Sequence, residues 1–136
     1  MTAAQSAVHR IAGCVALLAL QGCSELPSAS LPDPTFRRLV DAAEQFDGQE
    51  VEVAGLLLLG PESRQLWITR DAYDHPTDAR RQCLTLTNTR SVIKRDSVLA
   101  EVTVRGVFKK DIIAGMVDLA ACNELGISLL SVRGLP

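Results

Sequence analysis

Aromatic side chains and histidine are scarce in this 136-residue sequence. It contains three Phe, one Trp, one Tyr and two His. Faces that bind glycans or single-stranded nucleic acids use exposed aromatic rings as stacking surfaces, so few positions can serve this role. The sequence also lacks a Gly-x-Ser-x-Gly nucleophile motif, a Gly-rich phosphate-binding loop and a Cys-x-x-Cys redox pair. We therefore expect a protein that is not an enzyme and that holds no cofactor.

An excess of positive charge is also missing. The chain has 14 Lys and Arg against 16 Asp and Glu, and its formal net charge is −2. A nucleic-acid-binding domain needs a basic face, so the composition argues against nucleic acid as a partner.

The longest apolar run lies near the N-terminus, between Ile11 and Leu20. It is too short for a membrane-spanning helix, which needs roughly 20 residues. Arg10 precedes it, and a small residue, Gly22, follows it. These are the zones of a secretory signal, so we expect residues 1–22 to be a signal peptide.

The segment Leu20-Gln21-Gly22-Cys23 resembles the lipobox of bacterial lipoproteins. The resemblance implies acylation of Cys23 with diacylglycerol and palmitate, and Ser24 after it implies an outer-membrane location facing the periplasm. The alternatives are an ordinary signal peptide and a buried N-terminal helix. Residues 23–33 are rich in Ser and Pro and favour a flexible tether over the helix.

Cleavage before Cys23 would remove Cys14, and acylation would use Cys23 itself, so two of the four cysteines remain. They are Cys83 and Cys122. An even number of cysteines in an oxidising compartment predicts a disulfide, with two separate buried thiols as the alternative. The bridge would stabilise the domain by roughly 4 kcal/mol at most.

The pattern from residue 34 to 45 predicts an amphipathic helix. Its apolar stripe consists of Phe36, Leu39, Val40 and Ala43, at i, i+3, i+4 and i+7. Asp33 can cap the start, and Gly48 can end the element.

The pattern then changes to alternation, which is typical of strands. The predicted strands are 50–59, 65–69, 82–87, 101–108 and 127–132. Residues 71–80 are expected to form a polar loop, 88–97 to hold a short helix, and 115–121 to form an extra strand or an extended loop.

The motif Val-x-Val-x-Gly occurs twice, at residues 51–55 and 102–106. A glycine in mid-strand favours a sharp bend, and small barrels need such bends to close. The fold class predicted for residues 34–136 is therefore mainly β: a five-stranded OB-like Greek-key barrel preceded by one amphipathic helix.

Three motifs carry a family resemblance beside the helix. They are the segments 46–55, 66–71 and 102–106. The chain resembles small bacterial lipoproteins and periplasmic proteins of unknown function with an OB-like barrel, over residues 36–135. The resemblance implies the fold and no catalytic residues.

Two groups of residues are candidate ligand sites. The first is Trp67, Arg70 and Tyr73, which could form a glycan-binding face if they share one surface; burial of Trp67 is the alternative. The second consists of Asp71, Asp74, His75 and Asp78. Their oxygens and imidazole could bind a metal ion, although a solvated loop is the simpler interpretation.

These observations lead to a lipid-anchored envelope protein that binds a protein or glycan partner near the membrane. The alternative is a metal- or small-ligand-binding module that uses the 71–78 loop. An exposed apolar patch would favour a protein partner, whereas an open aromatic face would favour a glycan.

Overall fold

The computed structural model describes residues 31–136. The predicted signal peptide, Cys23 and the first part of the tether lie outside this range. The described elements are α1 (Pro34–Asp41), α2 (Ala43–Phe46), β1 (Glu50–Gly60), β2 (Ser63–Trp67), α3 (Arg70–Asp74), α4 (Ala79–Gln82), β3 (Cys83–Thr87), α5 (Thr89–Val92), β4 (Val98–Lys109) and β5 (Gly126–Arg133). No helix in the described range is long and apolar enough to cross a membrane.

The five strands form a closed barrel in the order β1-β2-β3-β5-β4. Strands β3 and β5 are parallel, and every other neighbouring pair is antiparallel. This arrangement confirms the predicted five-stranded barrel. Closure leaves no long free sheet edge, since the first and fourth strands pair over almost their whole length.

The core fills the barrel with side chains that alternate along each strand. Val53 and Leu57 on β1, Leu66 on β2 and Val104 on β4 are fully buried. On α1, Phe36 and Leu39 are also fully buried, which confirms the helix stripe seen in the sequence.

Asp33 joins the start of α1 to the barrel. One carboxylate oxygen accepts the Thr35 N–H at 2.8 Å, and the other accepts the Ala54 N–H of β1 at 2.8 Å. The expected N-cap is therefore present, and it fastens the helix to a strand at the same time. The predicted helix is broken at Ala42, whose φ of −128° is not helical, so α1 and α2 are separate.

The two mid-strand glycines are both required by close approach of a neighbouring strand. Gly106 lies at the register shift between Arg105 and Gly106, and a Cβ there would lie 2.3 Å from the Ser128 carbonyl oxygen. Gly55 pairs with Val102 in regular register. A Cβ on Gly55 would lie 2.5 Å from the Trp67 carbonyl oxygen, so contact with β2 rather than a bulge excludes a side chain.

One segment differs from the sequence-based expectation. Residues 71–80, expected to be a loop, contribute to α3 and α4, because Thr69 and Asp78 cap these short helices by accepting the N–H groups of Ala72 and Arg80. Residues 115–121, expected to be an extra strand or an extended loop, form no strand and belong to the loop between β4 and β5.

Candidate functional site

The outer face of β2 and β3 is where OB barrels commonly bind oligosaccharides and oligonucleotides. Leu66 and Leu84 are register partners that point into the core. Alternation therefore places their neighbours on the outer face. These neighbours are Gln65, Trp67, Cys83 and Thr85, which pair across the two strands.

That face is covered by the chain itself. We call residues 110–125, which connect β4 to β5, the β4–β5 loop. Cys122 of this loop is bonded to Cys83, with a Cα–Cα distance of 6.1 Å, so the predicted disulfide is confirmed. The Ala120 carbonyl accepts the Arg64 N–H of β2 at 3.1 Å. The loop thus occupies the surface that a ligand would need.

Trp67 lies on this outer face and is nevertheless buried. Its residue exposure is 7%, its ring lies edge-on to Tyr73 with centroids 5.7 Å apart, and its Nε1–H donates to Gln65 Oε1 at 3.0 Å. Arg70 is exposed at the start of α3. The structure therefore brings Trp67 and Tyr73 together as a packed pair, and neither face of the indole is open for stacking.

The acidic segment 71–78 is a solvated surface. The His75 Nδ1 atom lies 3.4 Å from Asp71 Oδ1, and the two side chains are 79% and 91% exposed. Asp78 is engaged as the cap of α4, while Asp74 is exposed at the end of α3. Within residues 31–136, no group of three or more His, Cys, Asp or Glu side chains is arranged to hold a metal ion.

A cleft of about 1060 Å³ lies between the β1–β2 turn, the α5 segment and the β4–β5 loop. One of its walls is apolar and belongs to the β4–β5 loop. Val117 and Leu119 line this wall and are 91% and 89% exposed, and the adjacent Met116 is 70% exposed. Met116, Val117 and Leu119 are visible in the sequence as large apolar residues, but the sequence interpretation of 115–121 as an extra strand or an extended loop did not identify them as a binding surface.

A second part of the cleft lining, on and just after α5, is basic, and we call it the basic wall. It carries Arg90, Lys94 and Arg95. Lys94 Nζ donates to the Arg90 carbonyl at 3.0 Å, and Arg95 donates to the Pro136 carbonyl. Within the described part of the chain, none of these three cations is paired with an Asp or Glu side chain.

Several cations elsewhere on the barrel are paired with acidic neighbours. A hydrogen bond from the Arg105 guanidinium to Glu50 raises the pKa of Arg105, and the hydrogen bond from Lys110 to Glu44 raises the pKa of Lys110. Within the cleft, Arg64 is paired with Asp118. Cations without an acidic partner in the described chain also lie outside the cleft, as at Arg37 and Arg70, but the cleft gathers three of them beside exposed apolar side chains.

Comparison with known proteins finds no matching family model, no similar curated protein and no similar solved structure. The resemblance to small envelope lipoproteins therefore stays a prediction from the sequence motifs. The candidate sites can be ranked on geometry. The aromatic group is packed, the acidic segment is solvated, and the cleft is open and combines apolar and charged walls.

Proposed function

We propose that this protein is a non-enzymatic, lipid-anchored module of the bacterial envelope that binds a protein partner at the cleft. The observation that carries the proposal is the exposure of Met116, Val117 and Leu119, between 70% and 91%, beside a large concave surface. Contiguous exposed apolar side chains in a folded protein are typical of interaction sites. A partner would remove them from water.

A protein partner is favoured over a glycan by the position of the β4–β5 loop. Glycan recognition would require ring faces that a sugar can stack on, and the single tryptophan, Trp67, is 7% exposed. The loop also covers the strand face where OB barrels bind oligosaccharides. A metal-binding function for the 71–78 segment has no comparable support, since its His75 and Asp71 side chains are solvated.

The membrane location rests on the sequence motif at Cys23. An acylated Cys23 would hold the domain through residues 23–33, which can extend at most about 36 Å. The cleft would therefore sample partners within a short distance of the membrane. We therefore expect the partner to be a protein of the same envelope compartment.

Site-specific photocrosslinking in the producing organism tests the proposal. We would replace Leu119 with benzoylphenylalanine, irradiate intact cells and identify any adduct. The matched control places the same photoreactive residue at Leu99, which is 45% exposed on β4 and does not line the cleft. We expect one envelope protein to be captured from position 119 and not from position 99.

The captured protein should also bind the purified protein directly. Replacing Leu119 with Asp places a charge on the apolar wall and should weaken this binding by about tenfold or more. Equal capture from positions 119 and 99, or an unchanged affinity in the L119D variant, would contradict the proposed function.

A further inference from the structure

The two walls of the cleft specify the chemistry of its occupant. We infer that the cleft receives an extended segment of the partner in which carboxylates stand next to large apolar side chains. This inference rests on the proposed function and adds the nature of the segment that is bound. The evidence is the volume of the cleft, its concave shape and the excess of cationic over acidic side chains in its lining.

The size of the cleft fits a peptide rather than a compact ligand. Its volume of about 1060 Å³ is at or above the upper end of the range for small-molecule sites, about 300–1,000 Å³. Val117 and Leu119 form one wall, and the nearly buried Leu59 and Ile93 also line the cleft. Large apolar side chains of a bound segment would be removed from water against these residues.

The basic wall is complementary in charge to carboxylates of a bound segment. Arg90 and Lys94 are four residues apart on and just after α5, and Arg95 follows. The cleft also contains Glu62 and Asp96, whereas its third acidic residue, Asp118, is paired with Arg64. Four cations therefore face three carboxylates in a chain whose net charge is −2.

No Asp or Glu side chain of the described chain pairs with Arg90, Lys94 or Arg95, although Lys94 and Arg95 each donate to a backbone oxygen. An acidic segment would supply the missing partners. Arginine in particular binds carboxylates through two parallel hydrogen bonds.

An anionic lipid surface offers negative charge together with apolar groups, and it is the competing source of this chemistry. The shape of the site favours the peptide. The lining of the concave surface includes the buried Leu59 and Ile93, which a flat bilayer cannot reach. An extended peptide can enter the cleft and contact its apolar and its basic residues together.

Selection of peptides from a random displayed decapeptide library tests the inference. The bait is the purified, detergent-solubilised protein. We expect the wild type to enrich sequences in which Asp or Glu adjoins Leu, Ile or Phe. A double variant, Arg90→Glu with Lys94→Glu, should lose the acidic preference and bind the selected acidic peptide at least about tenfold more weakly.

The matched control carries the same change in net charge outside the cleft, at Arg37→Glu and Arg70→Glu. Both residues are exposed and form no ion pair with the described chain. This control should bind the selected peptide like the wild type. The single variant Arg90→Glu, which removes no side-chain hydrogen bond of the described chain, keeps the test valid if the double variant is misfolded by circular dichroism.

Three outcomes would overturn the inference. The first is a selected consensus without acidic residues, the second is equal affinity of the cleft and control variants, and the third is no enrichment at all. If enrichment fails while the protein sediments with phosphatidylglycerol vesicles more than with neutral phosphatidylcholine vesicles, and the Arg90 and Lys94 changes abolish this difference, the occupant is a membrane. Photocrosslinks from position 119 to a protein, without an acidic consensus, would leave the proposed function standing and remove only this inference.

Discussion

Thr85 of β3 and Asn123 of the β4–β5 loop are joined by reciprocal hydrogen bonds. The Thr85 hydroxyl donates to the Asn123 carbonyl at 2.6 Å and accepts the Asn123 N–H at 3.1 Å. The Asn123 amide group in turn donates to the Cys83 carbonyl at 3.0 Å. These contacts hold the loop on the β2–β3 face, and thereby decide which surface of the barrel remains open.

Replacing Thr85 with Val should destabilise the domain. The side chain is fully buried, and the change removes the acceptor of the Cys122 and Asn123 N–H groups. Unsatisfied buried donors cost about 1–3 kcal/mol. Urea denaturation measures the loss. Thr103→Val is the control, since Thr103 is half-buried and makes no side-chain hydrogen bond to the described chain; equal midpoints for the two variants would refute the explanation.

Removing the Cys83–Cys122 disulfide should lower stability and loosen the β4–β5 loop. The cysteines are 39 residues apart in sequence, for which the loop-entropy model gives about 4 kcal/mol at most. We expect the double variant Cys83→Ala with Cys122→Ala to melt at lower temperature and to be cleaved faster by protease near Met116. A reductant should lower the melting temperature of the wild type and leave the double variant unchanged. A wild type insensitive to reductant under unfolding conditions would argue against the bridge.

Gly106→Ala should be destabilising although alanine is usually tolerated in strands. The added Cβ would lie 2.3 Å from the Ser128 carbonyl oxygen and 2.5 Å from Ile127 Cγ2. Overpacking of this kind costs about 1–3 kcal/mol. Gly60→Ala is the matched control, because a Cβ on Gly60 meets nothing within 4 Å. Similar unfolding free energies for the two variants would show that the close approach of Ser128 and Ile127 does not exclude a side chain at position 106.

The fluorescence of Trp67, the single tryptophan, should show that this side chain is shielded from solvent on the outer face of β2. Because Trp67 is 7% exposed, its emission should be blue-shifted relative to the unfolded protein and resistant to quenching by iodide. Soluble oligosaccharides should leave the emission unchanged. Strong quenching in the folded protein, or a saturable change on addition of an oligosaccharide, would restore the glycan interpretation.

Acylation at Cys23 can be tested independently of the fold. Mass spectrometry of the protein from its native membrane should show an N-terminal Cys23 carrying fatty-acyl groups. A Cys23→Ala variant should remain unprocessed or appear in the soluble fraction. Detection of a mature wild-type protein with an unmodified Cys23 would exclude the anchor.

Much of the barrel was predictable because its causes are local. The cap at Asp33 and the stripe of Phe36 and Leu39 follow from residue type and helical spacing. Strands such as β1 follow from alternation. The two Val-x-Val-x-Gly motifs predicted sharp bends; a register shift does occur at Gly106, whereas Gly55 lies in regular register and is explained by the close approach of β2. The disulfide followed from the parity of the cysteines remaining after Cys23.

Other features could not be predicted, since they depend on what packs against an element from outside. Alternation places Trp67 and Thr85 on the outer face of β2 and β3, and an outer position would ordinarily be exposed. Both are buried: the β4–β5 loop is hydrogen-bonded to Thr85, and Tyr73 of α3 packs against Trp67. No local pattern in residues 110–125 indicates which face the loop will cover.

By itself, the sequence determined the positions of the five strands, the start of the helix at Pro34 and the cysteine pair, and it predicts an export signal. Tertiary structure alone decided which face of the barrel is open and which cations stand together. Arg90 and Leu119 are 29 positions apart in the sequence, yet they line one cleft. The physical reason is that hydrophobic periodicity records whether one side of an element is apolar, whereas a binding surface is made by segments that meet only after the chain has closed the barrel.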